Sequence, residues 1–223
     1  ASKSVTNVAS VGSSIYWRDV VFTPDGEKAI LLGNRSVAAN SWEGRIYVWD
    51  DASQTLDEMT SERESGVRYQ ALAYSPDCSE ARLLGARNAT ASSYIASVWP
   101  FDAETGRVTS AVKSYNTGSG PAEDLAWGTD DFGNPAIAVV GAALNTSFAM
   151  YLNIAGTWVT QSTTGWGNIY RIASRPQGDY ALAVTSGSIS TIAVFRQGAW
   201  SRPGIALNWP SQVSFSTDGR RAL

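Results

Sequence analysis

Three adjacent carboxylate pairs, Asp50 with Asp51, Glu123 with Asp124 and Asp130 with Asp131, are the first candidates for chemistry in this chain. Two carboxyls at a suitable separation divide acid and base roles or hold a hard cation. Glu123 and Asp124 lie in an alternating apolar segment, where strand neighbours point to opposite faces and do not converge on one substrate atom. The other two pairs lie among turn formers, where Asp accepts main-chain hydrogen bonds. No EF-hand spacing of Asp, Asn and Gly occurs, so no metal site is expected.

Other reaction types are short of parts. The chain has no histidine, hence neither the commonest zinc ligand nor the usual general base of serine and cysteine hydrolases. Cys78 is the single cysteine, without a thiol partner or an activating imidazole. The glycine-rich stretches at 115–124 and 163–168 lack a Walker lysine and do not lead into a helix that would hold an anion. No cofactor is expected.

Aromatic residues offer a different chemistry, because exposed Trp and Tyr rings bind sugar faces and anchor protein interfaces. Trp158, Trp166, Trp200 and Trp209 stand at comparable stations in the second half of the chain and are the aromatic ligand candidates. Three Asn-x-Ser/Thr sequons, at Asn34, Asn88 and Asn145, matter only on a eukaryotic secretory route.

These residues must be held by something, and composition limits what. The 223 residues, 43% hydrophobic and 17% charged, are enough for a sizeable core in one domain. A net charge of −3 gives no broad positive field, which argues against nucleic acid and anionic lipid as partners. No apolar run is long enough for a membrane helix, and the first residues lack the apolar core of a signal peptide and an initiator Met, as in a processed chain. Low charge with abundant Ser, Thr, Gly, Trp and Tyr leans toward an extracellular or cell-surface protein.

The chain repeats itself. Residues 17–33 read WRDVVFTPDGEKAILLG and residues 69–85 read YQALAYSPDCSEARLLG. Further copies begin at 122 (AEDLAWGTDDFGNPAIAVVG), 170 (YRIASRPQGDYALAVTSG) and 212 (QVSFSTDGRRAL). Pro24, Pro76, Thr129, Pro176 and Thr217 mark one position, at steps of 52, 53, 47 and 41 residues. Period-two alternation punctuated by turn residues predicts short antiparallel strands, four per unit, and no helix. In the first unit Val20 and Phe22 face one side, Val21 and Thr23 the other, and TPDG makes a tight turn.

Four-stranded units at this spacing imply radial packing, since each small sheet has two faces to cover. On FTPDGEKAILLG with RIYVWD, YSPDCSEARLLG with VWPFDAETGRV, and SRPQGDYALAV, the chain resembles the WD40-like and YVTN-like β-propellers. The likeness runs over essentially the whole chain, without the Gly-His and Trp-Asp signature of WD40 repeats. It implies a single domain with blades near 15–66, 67–120, 121–166 and 167–210, and a partial fifth at 211–223 with 1–14 as closing strand. A five-bladed ring and a fragment of a larger propeller, completed by further sequence or a second chain, both fit; the fragment is preferred because the break falls inside a strand. A β-sandwich or jelly roll is the alternative fold.

Aligning the units places Arg18, Gln70, Glu123, Tyr170 and Ser211 in one column and Asp19, Ala71, Asp124, Arg171 and Gln212 in the next. In a propeller these columns flank the central channel, which makes Arg18, Asp19, Glu123, Asp124, Tyr170 and Arg171 the channel-mouth binding candidates. The expected role is a non-catalytic binding or assembly module with a protein or glycan partner. Two alternatives stand beside it. One is a carbohydrate-binding propeller, since the Gly-x-Trp placements are similar to those of propeller lectins. The other is a carboxylate-based propeller enzyme.

Overall fold

The computed structural model describes residues 14–38, 41–62, 64–90, 93–102, 105–109, 112–118, 120–143, 146–153, 155–161, 163, 166–186, 190–207 and 212–222. The proposed closing strand before Ser14, together with Trp209 and Asn145, lies outside the described residues.

The turn chemistry of the repeat builds the blades. In the first unit the Thr23 N–H donates to the Lys28 carbonyl at 2.9 Å, and the Thr23 hydroxyl is held by Asp25. Ser75 with Asp77 and Ser216 with Asp218 repeat that arrangement. The fourth turn residue takes a left-handed conformation in each unit, with φ of 75° at Gly26, 83° at Gly133, 70° at Gly178 and 66° at Gly219. In the second unit Cys78 adopts it, at φ 61°.

Each turn joins the first two strands of an antiparallel sheet. The first blade contains β1 (Ile15–Phe22), β2 (Lys28–Ala38), β3 (Ser41–Asp50), β4 (Thr55–Glu58) and the short β5 (Glu64–Ser65). In the second are β6 (Val67–Tyr74), β7 (Ala81–Thr90), β8 (Ser93–Asp102), β9 (Arg107–Val108) and β10 (Lys113–Gly118). The third is β11 (Ala122–Thr129), β12 (Pro135–Ala143), β13 (Thr146–Leu152) and β14 (Trp158–Gln161). Blade four comprises β15 (Asn168–Ser174), β16 (Tyr180–Ser186), β17 (Ser190–Arg196), β18 (Ala199–Ser201) and β19 (Ala206–Leu207). Sheet order follows the chain in every blade, with β5, β9 and β19 as short side pairings on the third strand. The expectation of no helix holds among the described residues except for one 3₁₀ turn at Thr60–Glu62.

Three apolar clusters lie between the blades. Ile30, Leu32 and Ile46 meet Tyr69, Leu72 and Leu83 between blades one and two. Val98 and Leu84 meet Leu125, Trp127 and Met150 between two and three. Tyr151 and Val140 meet Ile172, Phe195 and Trp200 between three and four. Residues 212–222 then begin a fifth unit: Phe215 bridges Ala222, and its ring stacks edge-on against Tyr180 at 5.7 Å. At the other end, Tyr16, Trp17, Val20 and Phe22 are exposed on the face of β1, whereas Val21 is half-buried and Thr23 buried. The predicted alternation along β1 is therefore present, with its apolar outer side uncovered among the described residues.

Candidate functional site

The first strand of every blade carries a β-bulge at the same place. Register slips between Trp17 and Asp19, Tyr69 and Ala71, Ala122 and Asp124, and Ile169 and Arg171. The extra residue is Arg18, Gln70, Glu123 or Tyr170, the described members of one column of the aligned repeat. A bulge bends its strand and re-aims the side chains beside it.

Re-aimed side chains from all four first strands surround one cavity of about 270 Å³, lined by Arg18, Asp19, Gln70, Asp124, Arg171 and Gln212 among others. Glu123 stands beside it, ion-paired to Arg18 at 2.6 Å. Tyr170 is 42% exposed and does not line the cavity. Glu123 and Asp124 do not converge on one atom: Glu123 pairs with Arg18, whereas Asp124 lines the cavity and accepts main-chain N–H bonds.

Asp19 and Asp124 are used alike. Asp19 accepts from the Val20 N–H at 2.9 Å through Oδ1 and from the Leu72 N–H of the next blade at 3.0 Å through Oδ2. Asp124 accepts from Leu125 at 2.9 Å and from Ile172 of the next blade at 3.0 Å. The partner positions in blades two and four hold Ala71 and Arg171, which supply no competing carboxylate. One aspartate thus ties each pair of blades. Burial pushes the Asp124 carboxyl up to about 7, opposed by the Ile172 N–H bond and raised further by Asp19. Burial also raises Asp19, against its main-chain bonds to Leu72 and Val20. Arg171 acts on both carboxylates by charge.

Gln70 is the residue the sequence reading left out of the site. It is only 2% exposed, lines the cavity, and its Oε1 has no hydrogen-bond partner. Its place in the same column as Arg18 and Glu123 was the available signal.

The tryptophan candidates do not form a platform. Trp200 is 4% exposed inside the cluster between blades three and four, 5.2 Å from Phe195. Trp166 packs against the same cluster, and Trp158 packs against the preceding one beside Tyr115 at 6.0 Å. Trp200 is thus part of the packing between blades, while Trp158 and Trp166 are half-buried at the edges of these clusters. The Asn34 sequon has a structural use as well. Asn34 is 2% exposed, its Nδ2 donates to the Tyr69 carbonyl at 2.8 Å, and its Oδ1 accepts from the Tyr69 N–H at 2.8 Å. An amide so committed is not an acceptor for a glycan in the folded chain. Asn88 is exposed on β7.

The carboxylate pairs in turns behave as turns. Asp50 Oδ1 accepts from the Ser53 N–H, and the buried Asp130 accepts from Phe132 and Asn134. Among the described residues, no group of three or more acidic or thiol side chains is placed to hold a metal ion. Cys78 is exposed on its turn, away from the cavity.

Solved structures with this architecture are β-propellers. TolB from Acinetobacter baumannii matches at a TM-score of 0.54 with 16% identity over 93% of this chain. A candidate 6-phosphogluconolactonase from Bacteroides fragilis matches at 0.56 with 16% identity over 89%, and one from Bacteroides uniformis at 0.56 with 11% identity over 91%. The chain is a β-propeller. It spans 48%, 57% and 62% of those three chains respectively. No family model matches the sequence, and no curated protein does.

Proposed function

We propose that this chain is a non-catalytic binding or assembly module, displayed outside the cell or at its surface, that engages a partner at the channel mouth. The supporting observation is how the carboxylates are committed. Each oxygen of Asp19 and Asp124 already accepts a main-chain N–H, so their first task is to tie blades together. Around them Arg18, Glu123, Tyr170 and Arg171 offer mixed charge and an exposed ring, a surface suited to recognition. Extracellular placement rests on composition. Among the described residues no helix is long and apolar enough to cross a membrane.

One observation favours an enzyme as the second reading. A carboxyl held near 7 is poised for proton transfer, and Asp124 is such a group. A screen of esters, lactones and glycosides with wild type and Asp124→Asn separates the two. The binding module predicts no turnover; turnover abolished by Asp124→Asn would establish the enzyme. For the partner itself, a photo-reactive phenylalanine at position 170 is expected to cross-link it. The same residue at position 132, an exposed site beyond the end of β11 opposite its bulge, is expected not to.

A further inference from the structure

Two buried polar atoms on the cavity wall lack partners, and they are of opposite kinds. Gln70 Oε1 is an acceptor without a donor, and Arg18 Nε is a donor without an acceptor. Leaving such a group unmet costs about 1–3 kcal/mol, which makes two on one wall a reason to look for what meets them. Arg171 adds a third unfilled capacity. Its guanidinium donates only at 3.4 Å to the Tyr170 carbonyl and forms no ion pair among the described residues. The Asp19 and Asp124 carboxyls lie on the same lining and supply negative charge when ionised, which for Asp124 is above about pH 7.

A ligand of one charge does not suit that wall. An anion would meet two carboxylates, and a simple cation would meet Arg171 and leave Arg18 Nε unsatisfied. The cavity, about 270 Å³, has room for roughly ten non-hydrogen atoms or fewer once water, at about 30 Å³ per molecule, is displaced. We propose that the channel mouth binds a small zwitterion of the α-amino-acid type, its ammonium donating to Gln70 Oε1 and the aspartates, its carboxylate accepting from Arg171 and Arg18 Nε. The proposal rests on the binding-module reading and names the ligand class of that site.

The test is calorimetry and ligand-observed NMR on the chain with glycine and L-serine, against acetate, methylammonium, glycerol and N,N,N-trimethylglycine. Trimethylglycine keeps both charges and removes every N–H donor. Glycine and L-serine are expected to bind with millimolar or tighter Kd, and each control at least about tenfold more weakly. Gln70→Met, close in size and apolar, is expected to weaken glycine about tenfold while the melting temperature rises, because it removes the unmet acceptor. Should Gln70→Met fold poorly, Arg171→Gln, at a partly exposed position, is expected to cause a similar loss. Binding by neither amino acid, binding of trimethylglycine or glycerol as tight as glycine, or unchanged glycine affinity in both variants overturns the ligand class. None of these results touches the binding-module reading, which falls instead if the substrate screen shows turnover dependent on Asp124.

Discussion

Junctions between blades come in two kinds. The first and third are laced with hydrogen bonds. Blade one reaches blade two through Asp19 to Leu72 and through both ends of the Asn34 amide to Tyr69. Blade three reaches blade four through Asp124 to Ile172, through the Trp127 N–H to Ser174 Oγ at 2.6 Å, and through paired bonds between Gln161 and the Trp200 main chain. At the second junction the clamp position is Ala71, and a bond from Trp127 Nε1 to the Ala73 carbonyl crosses at 3.2 Å. A cleft of about 630 Å³ opens there, with Trp127, Val98, Ile137 and Leu152 on its walls. The blades therefore form two hydrogen-bonded pairs whose shared seam holds an apolar cluster, with the Arg18–Glu123 ion pair joining blade one to blade three.

Removing a tie should cost more than altering the seam. Asn34→Ala leaves the buried Tyr69 N–H and carbonyl without partners, so we expect a loss of about 3 kcal/mol, read as a shift in the urea midpoint. A loss below about 1 kcal/mol would show that the first pair is held by packing alone.

Asp124→Ala is expected to cost about 2 kcal/mol, because the N–H groups of Leu125 and Ile172 lose their acceptor. Asp124→Asn should cost less, since its amide oxygen still accepts one bond. The pH dependence carries the sign. A carboxyl whose folded pKa, about 7, lies above its unfolded value of 3.8 binds protons more tightly in the folded state. Its favourable contribution is complete below pH 3.8 and is lost as pH rises through about 7. Asp19, also raised, acts in the same direction. Stability measured from pH 4 to 8 should fall in wild type and fall less steeply in Asp124→Asn. An equal slope would remove Asp124 as the titrating tie.

How much of this the sequence carried depends on how local each feature is. The blades were legible because Thr23-Pro24-Asp25-Gly26 and its copies encode a turn by themselves, and the alternation from Val20 to Thr23 encodes a strand. The equivalence of Asp19 and Asp124 was legible because repeats can be aligned without knowing their contacts. The bulges were not: period-two reading assumes unbroken pairing, and the extra residue at Arg18, Gln70, Glu123 or Tyr170 shows only in the register against the second strand. Asn34 looked like a sequon because its partner, Tyr69, belongs to the next blade. The burial of Trp200 was not legible for a related reason: the cluster that encloses it joins Phe195 of its own blade to Tyr151 and Val140 of the neighbouring one.

The seam can be challenged by giving it what the other junctions have. Ala71→Asp places a carboxylate at the second clamp position, but Leu125 N–H is already taken by Asp124. The new group joins Asp19 and Asp124 on one channel without a donor of its own. We expect a cost of about 1–2 kcal/mol at pH 8, smaller at pH 5 where protonation relieves the repulsion. A gain in stability would mean the seam lacks a tie by accident of sequence rather than because the pairs already satisfy each other.

The smallest expected effect lies on the turn that walls the seam. Cys78 holds φ 61° where the equivalent positions are glycine, and its side chain is exposed. That conformation costs about 1 kcal/mol, and Cys78→Gly should recover most of it as a rise in melting temperature. Because the turn of blade four also leans on this loop, with Gly178 set against the Pro76 ring, the relaxed turn tests whether strain is transmitted to the seam. Added stability with an unchanged pH slope would confine the strain to the turn. A changed slope would show that Asp124 feels the geometry of the seam.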